Sequence, residues 1–269
     1  MGTFDNKVVI VTGGSYGIGA ATAEEFAKEG AKVTIADINQ DAGNALVTKL
    51  DSAGLTCQLV LADVSKSAEC QNVVDHTVDS YGGIDILFNN VGIQPPHWYL
   101  NVEDTPEDVW DRTLNVNLKS YFLMSKYSIP HIRKRGGGAI INTSSVQGLQ
   151  SQHKVPAYAA SKGGILSLTR QMALDYTDDN IRVNAVNPGT IDTNMVRVAA
   201  AQENSENITD TVNKWGKGHP IGRVGTGKDI AQTVLFLASD KASFITGEYV
   251  NVDGGYMALG AWAVSDPNH

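Results

Sequence analysis

The sequence predicts a single α/β domain built on a doubly wound parallel sheet, and three observations predict it. Short runs rich in β-branched residues alternate with longer helical stretches from Lys7 to about Asn187. The runs lack a polar alternation, as strands buried on both faces do. Glycines stand where the intervening helices should stop, at Gly30, Gly54 and Gly82. Parallel strands joined through helices cross over right-handedly, which covers both faces of the sheet.

In chain order, a first strand over 8–12 leads to a helix over 18–29, and a second over 32–36 leads to a helix over 41–53. A third strand, 56–62, precedes a helix over 67–81, and a fourth, 84–88, precedes the long helical stretch 106–131. The fifth strand, 139–143, is followed by a helix over 156–176 and by the sixth strand, 181–186. A helix over 228–239 then precedes a run at 248–252 that can add a strand to the same sheet. Only residues 190–227 carry no clear element. A segment of that length is usually functional and is expected to be a substrate lid, the alternative being a surface excursion without consequence. No linker, repeat or charge block divides the chain, so residues 1–269 are expected to form one domain.

Composition narrows the function. The 269 residues carry 21 basic and 29 acidic side chains, a net charge of −8 that argues against nucleic acid as a partner. The apolar run 8–11 has no basic segment before it and stops after a strand's length, so neither a signal peptide nor a membrane span is expected. Cys57 and Cys70 form no metal-type pair and read as reduced thiols of a cytoplasmic protein. The six histidines show no metal-ligand spacing, so no metal is expected.

Thr12-Gly13-Gly-Ser-Tyr-Gly17-Ile-Gly19 is a strand end, a tight glycine turn and a helix start. The spacing differs from G-x-G-x-x-G, but the logic is the same: glycines allow the turn, admit a pyrophosphate and bring the helix close to the sheet. Asp37 ends the second strand twenty residues beyond Gly17, where a carboxylate can accept hydrogen bonds from ribose hydroxyls. It would repel a 2′-phosphate, and Ser15, Tyr16 and Ile38 offer no cation to neutralise one, so NAD is favoured over NADP. Tyr158 and Lys162 share a helix face at i and i+4, and Tyr158 is the only one of nine tyrosines with lysine at that spacing.

With these residues in view, the chain resembles a classical short-chain dehydrogenase/reductase along nearly its whole length. The resemblance rests on the glycine turn, Asp63-Val64, Asn89-Asn90-Val91-Gly92, Asn117, Ser145, Tyr158 with Lys162, and Asn187-Pro188-Gly189. Ser145 lies thirteen residues before the tyrosine, and Val91 stands where the family usually has alanine. The resemblance implies a Rossmann-type fold and hydride transfer between a secondary alcohol and NAD. Tyr158 would be the base, Lys162 its electrostatic partner and ribose ligand, Ser145 the holder of the substrate oxygen, and Asn117 the residue positioning a relay water. A phenol would have to fall by ~2 to 3 pKa units to act near neutrality, and the Lys162 cation and the nicotinamide charge are the expected cause.

Cofactor contacts implied in the same way are Gly13, Ser15, Tyr16, Gly17, Ile18 and Gly19 at the turn and Asp37 and Ile38 after the second strand. Asp63, Val64, Asn90 and Gly92 would line the adenosine side, and Pro188, Gly189, Ile191 and Thr193 the nicotinamide side. Asn89 reads as structural. Gln94, Gln147 and His153, joined at the rim by His97, Trp98 and Gln152, are candidate substrate contacts. This polar set suits an aldose, a polyol or another polar cyclic alcohol. A carbonyl or 3-oxoacyl-type reductase, a hydroxysteroid or cyclic alcohol dehydrogenase, and a non-catalytic NAD-sensing protein stay open as alternatives. A homotetramer is implied by resemblance, and the tail 260–269 could pack against a neighbouring subunit or fray.

Overall fold

The computed structural model describes residues 2–260. Seven parallel strands form one sheet in the order β3-β2-β1-β4-β5-β6-β7. They are β1 (Val8–Thr12), β2 (Lys32–Asp37), β3 (Cys57–Leu61), β4 (Ile86–Asn89), β5 (Gly138–Thr143), β6 (Ile181–Pro188) and β7 (Tyr249–Val252). The order reverses between β1 and β4, which opens a crevice at the carboxyl ends of the strands where ligands of such sheets bind.

Strand side chains feed two cores in alternation, as a period of two requires. Val9 and Val11 of β1, Ile86 and Phe88 of β4, and Ala139 and Ile141 of β5 face one side. There they meet α1 (Gly17–Lys28), α2 (Gln40–Ser52) and α9 (Gly227–Ala238) through Phe26, Leu46, Ile230 and Val234. Ile10, Leu87 and Ile140 face the other side. They pack on α3 (Ser67–Tyr81), α5 (Ser120–Lys134) and α6 (Pro156–Asp175) through Val73, Met124, Ile132 and Met172.

Two departures from the sequence reading matter for the site. The stretch 106–131 is not one regular helix: α4 (Glu107–Leu114) passes through a π-helical turn at Asn115–Lys119 into α5. Residues 190–227 are not irregular, for they hold α7 (Asn194–Glu203) and α8 (Ile208–Gly216). Their starts are capped by Thr193 and Asn207, whose side chains accept from the backbone N–H of Val196 and Asp210. The tail 261–269 lies outside the described residues.

A buried amide chain ties the central strands to α6. Asn89 Nδ2 donates to Asn142 Oδ1 at 3.0 Å, and Asn142 Nδ2 donates to Thr169 Oγ1 at 2.9 Å. Asn89 is a link in this chain of amides, buried between β4 and β5. Asn142→Ala should cost about 1 to 3 kcal/mol, because it leaves buried Thr169 Oγ1 without its donor and Asn89 Nδ2 with Ser125 Oγ alone. A shift of the urea midpoint without a change in slope is the expected reading.

Candidate active site

Successive strand ends build one wall of a cleft of about 1040 Å³: Gly13 after β1, Asp37 at the end of β2, Asp63 after β3, Asn90 and Gly92 after β4, Ser145 after β5 and Pro188 of β6. Tyr158 and Lys162 reach in from α6, while α7 and α8 form the opposite wall through residues such as Met195, Gln202, Lys214 and Trp215. Of the cofactor candidates, all line this cleft except Ser15 and Gly19, which lie beneath it. Of the substrate candidates Gln94, Gln147 and Gln152 line it, whereas His97 and His153 are exposed and do not. Trp98 faces a small neighbouring pocket instead.

The glycine turn is shaped by close approach. Gly13 takes φ +62° and Gly17 φ +53°, the left-handed region that disfavours other residues. A side chain at Gly19 would collide with the Gly13 carbonyl, so the first turn of α1 can sit this close to β1 only with glycine. Tyr16, the residue before α1, provides no side-chain cap. The first N–H groups of α1 are therefore left facing the cleft and suit a pyrophosphate. Asp37 is held by the N–H groups of Ser15 and Asn39, each 3.0 Å from a carboxylate oxygen. Asp63 accepts from the backbone N–H and the hydroxyl of Ser65, at 3.1 and 2.6 Å, with Arg112 3.5 Å away. Desolvation pushes the Asp63 carboxyl up, but the Ser65 bonds and the nearby cations outweigh it and hold the pKa below its ordinary value.

At the other end, the two adjacent serines divide their tasks. Ser144 Oγ donates to the Lys162 carbonyl at 2.7 Å and so fastens α6 to β5. Ser145 accepts from Gln147 N–H at 3.1 Å and lines the cleft. Lys162 is 3% exposed; its Nζ donates to Thr143 O at 2.8 Å and lies 5.6 Å from the centre of the Tyr158 ring. Asn117 is fully buried in the π-helical turn. Its side chain accepts from Ile93 N–H at 2.8 Å and donates to Ile93 O at 3.0 Å, pinning the segment after β4. The residue thus braces the cleft wall and does not line it.

Burial pushes the Tyr158 phenol up to about 12, only partly opposed by its hydrogen bond with Ser145, and pulls Lys162 down to about 7. The expected fall of the phenol toward neutrality is therefore not produced by the protein's own groups. The cation beside it, Lys162, is itself desolvated, and its proton faces a carbonyl instead of the phenol.

Sequence reasoning missed Tyr99, Arg112, Thr143, His219 and Tyr256, all of which line the cleft. Arg112 and Val116 both do so at i and i+4, a spacing that could have exposed them. Among the described residues no cluster suits a metal ion and no helix is long and apolar enough to cross a membrane.

A family model described as enoyl-(acyl carrier protein) reductase, adh_short_C2, matches residues 13–257. The chain belongs to the short-chain dehydrogenase/reductase family. An uncharacterised oxidoreductase of Thermotoga maritima is 43% identical over 95% of this chain and 99% of its own length. A cyclohexanol dehydrogenase of Acinetobacter is 37% identical, covering 95% and 96%. The solved aldohexose dehydrogenase of Thermoplasma acidophilum superposes with a TM-score of 0.87 at 38% identity, covering 96% of each chain. Short-chain dehydrogenases/reductases use a nicotinamide cofactor, NAD or NADP, so this chain is an oxidoreductase of that kind.

Burial of Lys162 has a consequence for stability. Its folded pKa lies below the unfolded value of about 10.4, so between about pH 7 and 10.4 the unfolded chain binds more protons and stability rises with pH. Below about pH 7 the full desolvation cost is carried. Lys162→Met should therefore raise stability by on the order of 2–4 kcal/mol at pH 6, with the gain shrinking toward pH 10, as thermal melts across pH will record.

Proposed function

We propose that this enzyme oxidises a secondary alcohol with NAD, its substrate being an aldose, a polyol or another polar cyclic alcohol. The observation that carries the reading is the single cleft that joins Asp37 at one end to Ser145, Tyr158 and Lys162 at the other. Asp37 offers a ribose diol two carboxylate oxygens already oriented by backbone N–H groups, and a 2′-phosphate only repulsion. Arg112, the cation at that end of the cleft lining, is engaged by Ser65 and Asp63.

When bound, NAD supplies the hydride acceptor and, through its positively charged ring, the field that lowers the proton affinity of the phenol. Ser145 Oγ holds the substrate oxygen and stabilises charge on it. Tyr158 takes the hydroxyl proton, and Lys162 keeps a cation under the phenol and a donor for the ribose. Asn117 acts through Ile93 as a positioning residue, with the relay water beside it in this reading. The polar substrate is supported by Gln94 and Gln147: Nε2 of the first and Oε1 of the second are buried without a partner, a cost a hydroxylated ligand can offset. Residues 190–227 serve as the lid of one domain spanning 1–269. Exposed Trp110, Phe122 and Phe244 support a homotetramer, to be checked by light scattering, and two free buried thiols go with a cytoplasmic enzyme.

The acyl-carrier reductase named by the family model is the second reading. The cleft lining disfavours it, since Lys214 is paired with Glu203 and, among the described residues that line that end, no unpaired cation awaits a carrier phosphate.

NADH formation over a panel of aldoses, polyols, cyclic alcohols and hydroxysteroids tests the proposal. Tyr158→Phe should abolish turnover, and Ser145→Ala should lower kcat about 100-fold or more, whereas Ser144→Ala should lower Tm and keep most of kcat. Asp37→Ala should narrow the preference for NAD over NADP by about tenfold or more. Because the phenol sits high, kcat/KM for oxidation should climb from about pH 7 to 10. Turnover only with NADP or only with apolar steroids would overturn the reading.

A further inference from the structure

Of the histidines in the described residues, only His219 lines the cleft, and the sequence placed it in the stretch 190–227 without giving it a role of its own. It follows α8 and is 4% exposed. Its Nδ1 lies 2.7 Å from the carbonyl oxygen of Asp253. A carbonyl can only accept, so Nδ1 carries the proton and a neutral ring presents Nε2 as an acceptor. Nε2 has no hydrogen-bond partner among the described residues, and it is not among the polar atoms sealed from solvent.

Three contacts fix the ring. Tyr256, itself a cleft residue, tilts against it with centroids 5.2 Å apart. Asp253 is in turn held by Gly255 N–H and Met257 N–H at 2.9 and 2.8 Å. Gly189 leaves room for the imidazole edge: a Cβ there would stand 2.9 Å from His219 Cε1. Gly189 directly follows β6, and β6 pairs with β5 through Val186 and Thr143, two residues before Ser145. The imidazole thus borders the cleft one strand over from the serine.

We propose that His219 is a substrate-recognition residue whose Nε2 accepts a hydrogen bond from a second hydroxyl of the substrate, beside the one that is oxidised. The substrate class is accordingly a diol or polyol and not a simple alcohol. This rests on the reading of the cleft as an alcohol dehydrogenase site. An acceptor fixed in place for one hydroxyl discriminates against the analogue that lacks it, because that analogue cannot make the bond. The other ligand donor available in the cleft is the carboxamide of the nicotinamide, so cofactor affinity has to be measured separately.

The test uses trans-cyclohexane-1,2-diol and cyclohexanol, with the variants His219→Asn and His219→Gln. Asparagine can keep a donor near the Nδ1 position and so the bond to Asp253, but has nothing at Nε2; glutamine reaches the Nε2 position. Wild type should favour the diol over the mono-ol in kcat/KM by about tenfold or more. His219→Asn should lose about tenfold of that ratio with Tm maintained, and His219→Gln should keep more of it. The diol should also raise the Tm of the NAD-bound wild type more than that of His219→Asn, a readout that needs no turnover. If neither alcohol is oxidised but the diol-specific Tm shift is seen and is lost in His219→Asn, the functional reading fails and this assignment stands. Equal handling of the two alcohols by wild type in both rate and Tm shift, an unchanged ratio in His219→Asn, or an effect confined to NAD affinity would overturn it.

Discussion

A buried ammonium without a counter-ion is the constraint around which the site is arranged. Lys162 sits against Thr143 O and the faces of Tyr121 and Tyr158, with no carboxylate hydrogen-bonded to it. Removing such a charge from water is costly, and the helix that carries it must be held from elsewhere. That hold comes from Ser144 on the Lys162 carbonyl, from Thr169 on the Asn142 amide, and from Ile165 and Met172 in the sheet-facing core. A cation that burial disfavours and that has no counter-ion is stored close to a phenol whose ionisation burial also disfavours. The site is thereby poised for a further charge.

The parallel sheet supplies the rigidity. Each strand end that lines the cleft is anchored to its neighbour by regular pairing, and the connections after them are cross-braced by side chains. Asn90 donates to the carbonyls of Thr12 and Gly13, and Asn117 clasps both backbone groups of Ile93. These polar bonds run between segments 24 to 78 residues apart, so those of Asn90 depend on β1 and β4 lying side by side. A π-helical turn at Asn115–Lys119 is what brings the Asn117 amide to Ile93. Such a turn, frequent at functional sites, adds a residue to the helical repeat and redirects the side chain.

What could be read from the sequence follows burial. The strands were legible because their residues are apolar on both faces, and the glycine turn and the Tyr158-Lys162 pair because their spacing is local and chemical. The helices α7 and α8 were not, since α7 buries Ala200 alone and α8 only Thr211, Val212 and Gly216, too little to impose a clear period. Their capping residues Thr193 and Asn207 were the one local signal available. The histidines misled for a related reason: His97 follows β4 and His153 precedes Tyr158 in sequence, yet both are exposed. His219, sixty-one residues beyond Tyr158, reaches the cleft through the crossover into β7.

This separation has a physical consequence for specificity. Residues implied in the shared chemistry sit on strand ends, on α6 and in the π-helical turn, where substitution disturbs two cores and a buried hydrogen-bond network. The walls that would meet the substrate come from segments that bury little and pair mainly with themselves, as Glu203 does with Lys214 and Trp215. Exposed pairs of that kind contribute little to stability, so they can be exchanged at small cost to the fold. Relatives with this fold and different named activities are what such an arrangement permits. Selection on the substrate can act on α7, α8 and the segment to His219 while the sheet stays as it is, because the two parts share few buried contacts.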